Sequence, residues 1–129
     1  MNRTDETKYD LKYHLDKVDS VEIKKLYKNA FDFARRTYPE AEVHFNYNHS
    51  KFLLSGCWFV RLYAQKSKMT IDVKGEFFQY PLLPTIRRGG KFKHEKHVIN
   101  FHVFDTTEPE DIKSLIQAAY DRLKKLTFD

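Results

Sequence analysis

CWFVRLYAQKSKMTIDVK, residues 57–74, holds two apolar-rich runs separated by the polar segment QKSK at 65–68. Four residues are too few for the crossover that parallel neighbours need, so 57–64 and 69–74 read as antiparallel strands joined by a tight turn. If Met69, Ile71 and Val73 point to a core, Thr70, Asp72 and Lys74 point away. On the preceding strand the same logic turns Phe59, Arg61 and Tyr63 outward, since Arg61 is better placed in water than in a core.

Working outward, VHFNY at 43–47 alternates, and KFLLSG at 51–56 returns as a hairpin through the turn-rich NYNHS at 46–50. VINFHVF at 98–104 alternates again, with Ile99, Phe101 and Val103 on one side and Asn100 and His102 on the other. Before the strands, Ile23, Leu26, Tyr27, Ala30, Phe31 and Ala34 trace one helical stripe that Tyr38 and Pro39 end, and Asp19 with Glu22 fits a capping box. After them, Ile112, Leu115, Ile116, Ala119 and Leu123 make a second stripe, with Thr107 and Glu110 as its capping pair and Pro109 in the first turn. The pattern predicts an α+β fold: an antiparallel sheet of four to five strands flanked on one face by an N-terminal and a C-terminal helix. The other face would display Phe59, Arg61, Tyr63, Asp72, Lys74, Asn100 and His102.

The 129 residues suffice for one core and not for two, so 19–129 is read as a single α+β domain. Residues 1–18 form a charged arm or a short helix, with Asp10 as its cap and Leu11, His14, Leu15 and Val18 at helical spacing. The eleven Phe and eight Tyr predict an aromatic-rich core. Cys57, the single cysteine, has no internal disulfide partner, which suits a reducing compartment. The first residues lack the apolar centre of a signal peptide, and no stretch approaches the roughly 18 apolar residues of a membrane span. A soluble, cytoplasmic protein without a membrane partner is expected.

Charge is localised. RRGGKFKHEKH at 87–97 carries Arg87, Arg88, Lys91, Lys93 and Lys96 against Glu95, a net +4 of the chain's +5, leaving eighteen bases against seventeen acids elsewhere. Residues 75–97 therefore read as a basic loop whose Gly89 and Gly90 let main-chain N–H groups approach an anion. Basic groups on such a loop neutralise phosphates and gain affinity by counterion release, and planar side chains on a sheet stack unpaired bases. The nucleic-acid-binding candidates are Arg87, Arg88, Lys91, Lys93 and Lys96, then Arg61, Tyr63 and Lys74 on the open sheet face. His94 and His97 would add charge below about pH 6.5 and strengthen binding on mild acidification.

Other chemistries find less support in the residues. His94, His97 and His102 invite a zinc reading, but lysines flank the first two and no Cys or carboxylate cluster completes a tetrahedral set, so no metal or cofactor is expected. Asp72 and Lys74 have the acid-x-lysine form of metal-dependent restriction-type nucleases, with Glu40 or Glu42 as the upstream carboxylate. Ser50, Ser55 and Ser67 lack a nucleophile elbow, Cys57 lacks a positioned base, and Gly89-Gly90 lacks the spacing of a nucleotide loop.

The opening helix VEIKKLYKNAF at 21–31, the strand ends LYA at 62–64 and TIDV at 70–73, and the closing DIKSLIQAAYDRL at 111–123 resemble a small uncharacterised bacterial and archaeal domain family. That family is often labelled a predicted transport protein and also occurs appended to restriction-type nuclease and other nucleic-acid-processing modules. The resemblance, over roughly residues 20–125, implies a helix-flanked antiparallel sheet and an accessory role in handling nucleic acid or the proteins that process it. It supplies no catalytic motif.

The functional expectation is a non-enzymatic module that binds nucleic acid, DNA or RNA. Its alternative is a protein-interaction module of a defence or anti-defence system, with Phe77, Phe78 and Tyr80 buried in a protein partner or a homodimer. A metal-dependent nuclease stands third.

Overall fold

Residue spacing sets the elements and the elements fix one sheet. The computed structural model describes residues 8–76, 79–80, 86–91 and 97–128, with 87–91 and 127–128 described by backbone alone. The described chain runs α1 (Leu11–Leu15), α2 (Val21–Thr37), β1 (Glu42–Phe45), β2 (Ser50–Leu54), β3 (Cys57–Ala64), β4 (Met69–Lys74), β5 (Ile86–Lys91), β6 (Val98–Val103) and α3 (Pro109–Phe128). The strands form one sheet in the order β1-β2-β3-β4-β6-β5, every neighbouring pair antiparallel. This is the expected α+β class.

Local chemistry explains the joints. Ser55 and Gly56 both adopt positive φ, 52° and 81°, which suits the two-residue turn between β2 and β3, where a glycine carries the left-handed geometry at little cost. Gln65 N donates to Lys68 O at 3.0 Å to close the β3–β4 turn, and Asp19 N ties that turn to the start of α2 through Lys66 O at 2.8 Å. Asp10 caps α1 as expected, its carboxylate accepting from Tyr13 N at 3.0 Å. The cap of α2 differs from the sequence reading by one residue: Ser20, not Asp19, accepts from Ile23 N at 3.2 Å. Before α3, Thr107 closes the turn by accepting from Phe104 N at 3.0 Å. At α2 a hydroxyl one position on satisfies the capping pattern as well as the carboxylate does on paper.

Both helical stripes bury on the same sheet face. Ile23, Leu26, Tyr27, Ala30, Phe31 and Ala34 from α2 and Ile112, Leu115, Ile116 and Ala119 from α3 meet Phe52, Val60, Leu62, Met69, Ile71, Val73, Ile99, Phe101 and Val103. The core is rich in rings: Phe31 lies 5.3 Å from Phe52, and Tyr38 stacks on Tyr120 at 3.9 Å. Tyr27 resolves its buried hydroxyl by donating to Leu62 O at 3.0 Å and pairing with Ser50 Oγ at 2.8 Å. α1 docks through His14, which is fully buried with its ring 6.5 Å from that of Tyr27 and 6.1 Å from that of Phe45. Burial, then Lys17, pushes the His14 imidazole down to about 4, so it is neutral at pH 7.

Two expectations are corrected. The β2–β3 register passes from Phe52↔Val60 to Leu53↔Trp58, so Phe59 is the extra residue of a β-bulge. Strict alternation would expose Phe59. The bulge turns it under the helices instead, 1% exposed and packed near Tyr38, Phe52 and Tyr120. Residues 75–97 are likewise not one loop, because 86–91 form β5, an edge strand beside β6.

Candidate functional site

Strand alternation gives the helix-free face three cross-strand rows. The central row runs His44, Lys51, Arg61, Asp72, Asn100 and Gly89 from β1 to β5. On one side Tyr63, Thr70, His102 and Arg87 are in register; on the other, Lys74, Val98 and Lys91. Gathering Lys51, Arg61, Lys74, Arg87 and Lys91 on one face therefore requires β5 to be a strand. The acids of that face are Asp72 in the centre and Glu42 at the β1 edge, where its carboxylate lies 3.2 Å from His44 Nε2.

The centre is rigidly built. Asp72, 1% exposed at its side chain, accepts from Arg61 at 3.0 Å, and Asn100 Nδ2 donates to its other oxygen. Arg61 lies 4.0 Å above the Trp58 ring and Lys74 Nζ lies 5.0 Å from the same ring. Trp58 joins Leu53 and Val98 in a small apolar cluster separate from the main core. Arg61 is only 13% exposed, so it is on the expected face but not in open water. Its charge offsets that of Asp72, whose burial would otherwise be costly.

At the end of the face, His49 lies 5.1 Å from Tyr63, and Tyr63 is half-buried. Burial, followed by the nearby Arg61 and Lys51 charges, pushes His49 down to about 3, so it adds no charge at neutral pH. Sequence reasoning missed both Lys51 and His49 for this face. Lys51 was legible as the one charged residue of β2, between Ser50 and Phe52.

The remaining candidates separate. Arg88 is in register with Phe101, so alternation puts it on the opposite side of β5 from Arg87 and Lys91. His97 is exposed, has a positive φ of 60°, and pairs with Glu76. Lys93, His94 and Lys96 lie outside the described residues, as do Phe77 and Phe78. Tyr80, expected as an exposed protein-docking anchor, is instead 4% exposed, packs near Phe101 and donates to Lys74 O. Its ring completes the core at the end of β4, which removes it from any docking surface.

For the nuclease reading, Glu40 accepts a hydrogen bond from Tyr120, which itself stacks on Tyr38, and Glu42 sits beside His44. Among the described residues no group of three His, Cys, Asp or Glu side chains could hold a metal ion. Cys57, at the first position of β3, is exposed. No helix among the described residues is long and apolar enough to cross a membrane. Comparison with protein-family models, curated proteins and solved structures gives no match.

Proposed function

We propose that the protein is a non-enzymatic module that binds a nucleic acid through its helix-free sheet face and the adjoining β5 edge. The observation that carries this reading is the β5 register, which puts Arg87 in the row of His102 and Tyr63 and Lys91 in the row of Val98 and Lys74, at the opposite end of the sheet from Lys51 with Arg61 between. A field of this kind attracts phosphates, and binding would release condensed counterions. The bulge has moved Phe59 into the core and Trp58 is covered, so the face offers charge more than stacking surface. It is accordingly a reader of backbone phosphate more than of bases. An accessory role beside nucleic-acid-processing proteins, as the family resemblance implies, accords with a face that grips without cutting. Here Asp72 is engaged by Arg61 and Asn100 instead of standing ready for a metal.

Basic residues on an edge strand have a second physical use, which is to discourage pairing with another sheet edge. Binding measurements separate the two. Fluorescence anisotropy of labelled single-stranded DNA, duplex DNA and RNA across a salt series should give a log–log slope of roughly −3.5 to −4.5 for about five phosphate contacts. Changing Arg87, Arg88, Lys91 and Lys93 to Ser should flatten the slope markedly. A variant that self-associates, with a wild-type protein that binds none of the three ligands at low salt, would leave edge protection as the use of these charges.

A further inference from the structure

The C-terminal helix carries a second, unrelated stripe: Ala118, Arg122, Lys125 and Leu126 fall on one side of α3 by helical spacing, away from the residues that face the sheet. With Gln79 and Asp121 they line a cleft of about 660 Å³, within the size range of small-molecule sites. The cleft is built around one guanidinium. Gln79 Oε1 accepts from Glu76 N at 2.8 Å and from Arg122 Nε at 3.0 Å, which fixes the plane of the Arg122 side chain. Gly75, at φ 136°, permits this closeness. A Cβ there would come within 2.6 Å of Gln79 Oε1 and 3.0 Å of Arg122 Nε.

Among the described residues, the bond from Nε is the only hydrogen bond of the Arg122 guanidinium, so its two terminal amino groups remain for a ligand. Lys125 adds a second cation at the rim, and Asp121 leaves the cleft with a net single positive charge. Ala118 supplies a half-buried apolar wall and Leu126, 65% exposed, an apolar side chain with no cover. An oriented guanidinium edge matches a carboxylate with two parallel hydrogen bonds, and the apolar wall suits a hydrocarbon body. We infer that this cleft binds a small organic carboxylate with an apolar chain, through Arg122 and over Ala118 and Leu126.

The inference stands apart from nucleic-acid binding, because none of these residues belongs to the open sheet face. Calorimetric titration of the whole protein with sodium octanoate tests it, with octanol and inorganic phosphate as probes of the chain and the charge alone. Saturable octanoate binding that neither control reproduces is expected. Arg122→Gln should weaken it by about tenfold or more, and Gln79→Ala, which frees the guanidinium without removing it, by a smaller factor. Circular dichroism and melting temperature confirm that both variants are folded. No octanoate binding to the wild type, equal affinity for Arg122→Gln, or equal binding of phosphate would each overturn the proposal.

Discussion

The same strands present two surfaces of opposite character. Beneath the helices, β3, β4 and β6 contribute Leu62, Ile71 and Phe101 to a cross-strand row with essentially no exposed surface. One residue along, the row on the other face reads Arg61, Asp72 and Asn100, with Asp72 buried between two partly covered neighbours and held by charge and hydrogen bonds. Burial thus reaches into both faces, by different means. The covered face is stabilised by area removed from water, and the open face is specified by partners.

The sharpest way to break this comparison is Phe59→Ala. If the bulge turns Phe59 under the helices, truncation should cost about 3–5 kcal/mol in urea unfolding. A loss below about 1 kcal/mol would return Phe59 to the open face. Asp72→Ala should cost about 3 kcal/mol by leaving Arg61 nearly buried without its carboxylate, and replacing both residues by apolar ones should recover much of it. A single variant as stable as the wild type would contradict the central ion pair. On the covered face, Tyr27→Phe removes the bonds to Ser50 and Leu62 and should cost about 1–2 kcal/mol.

A pH titration probes the covered face through His14. Its folded-state pKa lies below the ordinary histidine value of about 6.5, at about 4, so the unfolded chain binds a proton that the folded chain refuses. Stability should be intact above about pH 6.5, fall as the pH drops towards 4, and lose this slope below that. His49, lowered to about 3, extends the fall in the same direction. His14→Phe should flatten the decline between pH 6.5 and 4, and an unchanged slope would place the titrating group elsewhere. The smallest expected effect is Lys51→Ala on the open face. It should leave stability within about 0.5 kcal/mol while weakening nucleic-acid binding and its salt dependence.

Much of the fold was legible because periodicity and burial coincide. The α2 stripe buries the six residues expected, and the α3 stripe buries its expected residues with Leu123 partly covered. Tyr120, which the stripe did not include, also packs there, with its hydroxyl reaching Glu40. The strand β5 was not legible. IRRGGK has one apolar residue and two glycines, and its strand character comes from β6 offering an edge, a long-range effect that no local pattern encodes. The bulge was hidden for a related reason: CWFVRLYA alternates acceptably in either phase until the register against β2 is known. For the site, Arg61, Lys74 and His102 were placed on the right face from alternation alone. The ion pair that takes Arg61 out of open water needed the neighbouring strand.

The most direct test of the account is amide chemical-shift mapping of the labelled protein on addition of a short duplex DNA at low salt. Basic residues also line the helices, at Lys24, Lys25, Lys28, Arg35 and Arg36 on α2 and Lys113 and Lys124 on α3, so charge alone does not dictate where the ligand sits. The account predicts shifts concentrated at Lys51, Arg61, Lys74, Arg87, Lys91 and His102, with α2 and α3 unmoved. Shifts confined to the outer helix surfaces, with those six amides unchanged, would contradict it.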